Sequence, residues 1–249
     1  MATALVVILV ALSITTIATF TTSIYLHRGL THGSLKVGRF MSAVFRVILW
    51  VTTGQDRREW VAVHRKHHAF TDVPGDPHSP LLLGFWRVQL WNVYYYIREA
   101  RNHETIAKYT KGMRVDWWDR LLAKPIVGSL FDLAGPVLGT LGLCWIFGLW
   151  PAISIAFLHG VLYVFVVAPL INAVGHRRNG ARNYLDQTAT NSKLLAWFTA
   201  GESLHNNHHA HQRSPRFAVR RGEVDPSWPV IKVLASLRLL RITARLAVW

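Results

Sequence analysis

The sequence predicts an all-α, multi-pass membrane bundle whose polar segments and histidines gather on one face. Three observations predict it. Residues 1–27 and 125–176 are apolar runs without a single Lys or Arg, so each is long enough to cross a bilayer. All 28 Lys and Arg residues fall instead between Arg28 and Lys124 or between Arg177 and Arg245. The 13 histidines are mostly clustered, and the clusters lie at or beyond the ends of the apolar runs.

At 249 residues the chain is the size of one domain, read as a single unit over 1–249. It is 51% hydrophobic yet carries a net charge of +15, which segregation along the chain reconciles. Nucleic-acid binding is set aside, because the basic residues flank apolar runs and no nucleic-acid fold signature accompanies them. Lys and Arg accumulate on the cytoplasmic side of spanning helices, which accounts for the charge directly. The single cysteine, Cys144, can form neither an intrachain disulfide nor a zinc knuckle and reads as a small packing residue.

The first span runs over 2–26 without a charged side chain. A cleaved signal peptide would place positive charge before its apolar stretch, whereas here it follows at Arg28. The segment reads as a retained helix with its N-terminus outside. Residues 41–55 are apolar but short and interrupted by Arg46, as in an interfacial helix. A polar stretch follows to Lys124, broken by the aromatic cluster Phe85, Trp86, Trp91, Tyr94, Tyr95 and Tyr96, which suits the headgroup level. Spans over 133–150 and 152–172 are parted by Pro151, which can open the second, giving a hairpin with a tight outer turn. The basic tail contains an amphipathic stretch from Trp228 to Leu246. Segments 56–124 and 173–249 then lie on one face, the cytoplasmic one. For a bacterial chain this is the inner membrane.

The histidines form three boxes: His27-x4-His32, His64-x2-His67-His68 and His205-x2-His208-His209. Imidazole ligates Zn, Cu, Fe and Ni. Residues at i, i+3 and i+4 share a helix face, so each three-histidine box can aim its rings at one place. His27 and His32 are about 140° apart on an ideal helix and converge only if the helix ends or distorts, which Gly29 permits. At this histidine content, chance placement yields H-x-x-H-H on the order of 0.03 times per chain, so two copies indicate a site. Eight imidazoles are too many for one tetrahedral zinc, and no H-E-x-x-H supplies a base. The Glu-x-x-His spacing of carboxylate-bridged di-iron bundles occurs at Glu202-His205 without a second copy. A dinuclear site with nitrogen ligands fits best.

The stretches HRGLTH (27–32), EWVAVHRKHHAFTDVPGDPHSP (59–80), NAVGH (172–176) and GESLHNNHHAH (201–211) resemble, in order and separation, the membrane fatty acid desaturases of the acyl-CoA delta-9 (stearoyl-CoA desaturase) type, especially their short bacterial members. The resemblance implies a cytosolic helical cap on a membrane bundle, holding two irons. Its ligands would be His27, His32, His64, His67, His68, His176, His205, His208 and His209, with Asn172 acting through a water. It also implies an O2-dependent reaction that removes hydrogen from neighbouring carbons of a fatty acyl chain, giving a cis double bond and water.

Two electrons must come from outside, since no flavin, nicotinamide, haem or iron–sulfur motif is present. An acidic donor such as a ferredoxin or a cytochrome b5-like protein would suit the basic face. Ligating imidazoles need a partner on their other nitrogen. Asp72, Asp76, Asp186 and Glu202 are candidates, and His78 reads as a supporting residue. His103, His159 and His211 read as non-ligands. Trp60, Leu82, Phe85 and Trp197 are candidate walls of an acyl channel.

The chain departs from the animal-type pattern in two ways. It shows three crossing helices where those members have four, so one is dispensable or supplied by a partner subunit. Ala62-Val63 stand where animal-type members carry charged residues near the coenzyme A head, which leaves lipid-linked or carrier-protein-linked acyl chains open. Two rivals remain: a hydroxylase on the same site, and a histidine-rich membrane metal carrier, which would place ionisable ligands at mid-membrane instead.

Overall fold

A computed structural model describes residues 2–247; the last two residues of the expected 173–249 segment, and Met1, lie outside the described residues. Its helices are α1 (Ala2–Thr21), α2 (Arg39–Thr53), α3 (Arg57–Ala69), α4 (Pro80–Leu83), α5 (Phe85–Ala100), α6 (His103–Tyr109), α7 (Trp117–Leu122), α8 (Pro125–Phe147), α9 (Leu149–Val161), α10 (Lys193–Ala196), α11 (His205–Ala210) and α12 (Ser227–Ser236). One antiparallel ribbon, β1 (Leu35–Val37) with β2 (Leu240–Ile242), completes it.

Among the described residues, three helices are long and apolar enough to cross a membrane: Thr3–Thr31 (29 residues), Ile126–Phe147 (22 residues) and Leu149–Val174 (26 residues). Their outer faces expose Leu5, Ile8, Leu138, Leu141, Trp145 and Phe157. In water this would be an apolar surface far larger than a soluble monomer tolerates, whereas hydrocarbon matches it. These features fit an integral membrane protein.

The bounds differ from the sequence reading for physical reasons. α1 continues in π-helical form from Thr22 to Thr31, past the expected end at Leu26. It can do so because Arg28 is fully buried between Glu202 and Asp225, at 2.9 and 3.0 Å, and ends no span by its charge. α8 opens at Pro125, ahead of the expected 133, because proline suits the first turn and Asp132 is carried inside the helix. The turn to α9 falls at Gly148 (φ 81°) rather than Pro151, since glycine alone takes that backbone freely; Pro151 sits within the first turn of α9. The stretch from Trp228 to Leu246 is not one helix. α12 stops at Ser236, and after Arg238 (φ 58°) the chain returns as β2 along β1, pairing Leu35 with Ile242 and Val37 with Leu240.

α2 is wedged against both α1 and α8. Cβ atoms at Gly135 and Gly139 would stand 2.1 Å from the Trp50 carbonyl oxygen and 2.8 Å from Val51 Cγ1, so these glycines permit the approach. Arg46, which interrupts α2 in the sequence, is buried and anchors α7. It donates to Asp116 and Asp119 at 2.7 and 2.6 Å, and Arg57 from α3 joins the same two carboxylates. A core of Ile24, Tyr25, Leu26, Phe45, Leu49 and Ile231 ties the inner end of the first span to α2 and α12.

Candidate metal centre

The π-helical turn resolves the first box. Its hydrogen bonds join residues five apart, so His32 N–H donates to His27 O at 3.1 Å and Thr31 Oγ1 to Leu26 O at 2.9 Å. Residues five apart therefore stack instead of diverging, and the rings of His27 and His32 meet with centroids 4.8 Å apart. The distortion begins at Thr22, well before Gly29.

The three-histidine boxes behave differently from expectation. Neither aims all its rings at one place. Adjacent residues on a helix diverge by 100°, so His67 and His68 cannot share a focus, whereas residues four apart can. His64 and His68 bring their Nε2 atoms to 3.0 Å, and His205 and His209 to 3.1 Å. Each box then contributes its remaining ring to the other group. His27, His32, His64, His68 and His208 form one cluster and His67, His176, His205 and His209 a second, the ligand atoms within each lying within 4.8 Å of one another. Both clusters can hold a metal ion.

The donor chemistry fits a cation. Burial holds His32, His64, His68, His205, His208 and His209 well below the usual histidine range, and neighbouring imidazoles deepen the effect. The rings are thus neutral. Yet His27 Nε2 lies 3.0 Å from His208 Nε2, which lies 3.0 Å from His68 Nε2. Where the protons sit on Nδ1, lone pairs face lone pairs at that distance, an arrangement a shared cation relieves. His67 Nε2 and His176 Nε2 are likewise buried without a hydrogen-bond partner.

Carboxylates fix the tautomers from behind. His67 Nδ1 is 3.0 Å from both Asp76 oxygens, and His176 Nδ1 is 2.8 Å from Asp72 Oδ2. His27 Nδ1 lies 2.6 Å from Glu202 Oε2. Burial pushes all three acids up, but the imidazole contacts (and Arg28 at Glu202) outweigh it and leave each below its ordinary value. They remain charged, turning each histidine's Nε2 toward the cluster as an acceptor.

Asp186 does not belong to this set. It is exposed and accepts from Gln187 Nε2 at 3.1 Å, because its loop runs over the surface. Thr188 supplies that loop's contact instead, donating to Asp72 Oδ2. His78 is buried and stacked on His67 at 4.7 Å, with neither ring nitrogen hydrogen-bonded, and it forms a third group with His67 and Asp76. Burial brings it down to about 3. Asn172 lies one turn before His176 and donates Nδ2 to Asn92 Oδ1 at 2.8 Å.

A cavity of about 150 Å³ opens beside the first cluster, with His27, His64 and His78 in its wall and Val93, Val164 and Ile171 among its apolar lining. Trp60 lines it as expected. Leu82, Phe85 and Trp197 do not; Leu82 and Trp197 are about half exposed, at 47% and 58%, because α4 and α10 lie outside the bundle. Of the aromatic cluster, Trp86, Trp91 and Tyr94 face outward while Tyr96 faces the cavity. Sequence reasoning missed Asn92, Tyr96 and Tyr163 as cavity residues; one face of α5 carries Asn92 and Tyr96 at i, i+4, the only signal available. His159, read as a non-ligand, sits between Thr15 Oγ1 and Thr52 O, both at 2.9 Å.

Fold and site together define a helical membrane protein with two histidine clusters, one fully buried and one partly buried, whose donors suit a metal. Sequence comparison places it further: the family described as fatty acid desaturase matches residues 2–225, and the chain belongs to that family. Relatives include an acyl-CoA 5-desaturase of Anemone leveillei, 31% identical over 223 residues, covering 88% of this chain and 66% of that protein. The sn-1 stearoyl-lipid 9-desaturase of Synechocystis is 30% identical over 217 residues, covering 86% and 64%. The delta-9 acyl-lipid desaturase 1 of Arabidopsis thaliana is 28% identical over 237 residues, covering 92% and 72%. The chain thus spans about two thirds of the length of its relatives.

Proposed function

We propose that this chain is a membrane oxidoreductase, a desaturase that introduces a cis double bond into a fatty acyl chain through a histidine-bound di-iron centre and O2. The observation that carries the reading is the sorting of nine imidazoles into a group of five and a group of four, with nitrogens converging in each. The first iron would take His27, His32, His64, His68 and His208. The second would take His67, His176, His205 and His209, with Asn172 completing it through a water one helical turn from His176. No side chain breaks an unactivated C–H bond; two bound irons would supply the activation of O2 and the removal of two hydrogens.

The chain's own residues supply the rest. Asp72, Asp76 and Glu202 hold the ligating tautomers. The cavity, with its apolar walls and Trp60 against His64, holds a methylene chain beside the first cluster and excludes water. Relatives are named as 5-desaturases and as 9-desaturases, of acyl-CoA or of acyl lipids; the histidine motifs, which resemble the delta-9 type, support the 9-position, with lipid and thioester carriers both within reach. The whole chain serves as one desaturase domain. Its histidine face is cytoplasmic and its N-terminus outside, in a bacterial inner membrane, as the distribution of Lys and Arg supports.

The test is direct. Purified protein loaded with ferrous iron should hold two irons and, with reductant and O2, convert an acyl substrate to a product lacking two hydrogens. His208→Ala should insert in the membrane normally, lose iron from the five-histidine group and form no product. Product gaining an oxygen atom would indicate a hydroxylase; metal binding without oxygen uptake would indicate a carrier; unaltered product from His208→Ala would refute the ligand assignment.

A further inference from the structure

Beside the four-histidine cluster, and separate from the acyl cavity, a cleft of about 660 Å³ opens to the surface. His209, a member of the four-histidine cluster, forms part of its floor, with His211, Arg213, Thr243 and Arg245 around it. A neighbouring hollow of about 420 Å³ shares Arg213 and Thr243 and adds Lys36. Neither has a lining residue in common with the acyl cavity, so each is a space distinct from it, the first touching the four-histidine group at His209 and the cavity touching the five-histidine group at His27 and His64.

The charge here is one-sided. Between Arg213 and Arg245 the chain carries eight basic residues and two acids, Glu223 and Asp225. Both acids are turned inward: Asp225 binds Arg28, and Glu223 accepts from Asn183 and Asn207 at 2.7 and 2.8 Å. On the ribbon, Lys36 stands directly opposite Arg241, and both are exposed. Like charges in that register cost stability. None of Lys36, Arg213, Arg241 and Arg245 pairs with a carboxylate among the described residues. An unneutralised basic rim around a metal-cluster histidine is complementary to an acidic surface.

We propose that this cleft is where an acidic one-electron carrier protein docks, delivering electrons through the His209 edge while the acyl chain occupies the separate cavity beside His27 and His64. The inference rests on the di-iron reading and names the partner surface of that same site. An anionic lipid headgroup is the competing occupant, since the lining mixes His211, Gln212, Arg213, Ser214 and Thr243 with Ala210, Ala244, Leu246 and Ala247, and vesicle binding is therefore measured beside ferredoxin binding.

The test uses the iron-loaded protein in detergent and a plant-type [2Fe–2S] ferredoxin as probe. Binding is measured by fluorescence titration and by chemical cross-linking, and reduction by stopped flow, with dithionite as a small-molecule reductant for comparison. Arg213→Glu with Arg245→Glu should weaken ferredoxin binding at low salt by roughly tenfold or more, as charge reversal at a steering surface does. Dithionite-driven turnover should be unchanged. Lys111→Glu with Arg114→Glu, outside the cleft, should leave ferredoxin binding as in the parent. Equal binding by the cleft and control variants would overturn the proposal. So would a cleft variant that loses affinity for phosphatidylglycerol vesicles but not for ferredoxin. Loss of turnover with both reductants would show that the substitutions damage the centre, again against a pure docking role. Absence of any acyl product in the parent, reduced stoichiometrically with dithionite, freed of excess reductant and then given O2, would instead defeat the desaturase reading, while the binding comparison would still report on the cleft.

Discussion

At the scale of the residue, the centre depends on keeping imidazoles neutral and aimed. Burial does the first: a protonated ring in that nest would face other imidazoles with no water to solvate it. Buried carboxylates do the second. Asp72 is the cleanest place to test this, because asparagine keeps its shape and can still accept from His176 and Thr188, while Ser79 can turn to accept. Asp72→Asn should lower iron affinity of the four-histidine group by about 10–100-fold and spare the five-histidine group. Ferrous titration of metal-stripped protein, reading the two occupancies separately, checks it. Eight of the nine candidate ligands were legible in the sequence as clustered histidines; His176, standing alone, was reached only through the family resemblance. Their partition was not legible, because it depends on the 100° step between neighbours and on where two distant helices cross.

At the scale of the element, two local departures from regular helix make the site possible. The π-helical turn over 22–31 converts a five-residue spacing into a pair of rings in edge-to-face contact. The HRGLTH spacing signals that something must bend there; it does not say that the hydrogen bonds shift register instead of breaking. The glycines of α8 are the second departure. Gly135 and Gly139 let α2 lie against α8, and α2 leads through Gly54 and the Asp56 cap into α3 and its box. Gly135→Leu should push α2 away, since its Cβ would stand 2.1 Å from backbone oxygen at Trp50. A loss of about 1–3 kcal/mol is expected from overpacking. A lower thermal midpoint in detergent, accompanied by weaker iron retention, is the expected outcome; a stable variant that merely binds less iron would contradict this role for the α2–α8 contact.

At the scale of the whole molecule, the described residues include three helices long enough to span a membrane, and the histidine clusters gather at the Thr31 and Val174 ends of the first and third, the ends away from the Gly148 turn. The turn at Gly148 and the histidines should therefore face opposite aqueous compartments. The lone native cysteine makes this easy to test. In a Cys144→Ser background, Leu149→Cys should react with a membrane-impermeant maleimide added outside intact cells, and Lys111→Cys only after the membrane is opened. The reverse pattern would invert the orientation.

The sequence by itself determined the membrane class, the helical architecture, the histidines and the family, because hydropathy runs, charge asymmetry and ligand spacing are properties of neighbouring residues. It also pointed to Asp72, Asp76 and Glu202. Tertiary structure alone decided that Asp186 is a surface residue, that the tail returns as a strand, that Leu82, Phe85 and Trp197 stand away from the cavity, and that each box divides between two clusters. Those outcomes turn on contacts between residues more than a hundred positions apart, such as His68 with His208 and Asp72 with His176. No local pattern encodes the distance between such segments; only their packing around a common buried centre sets it.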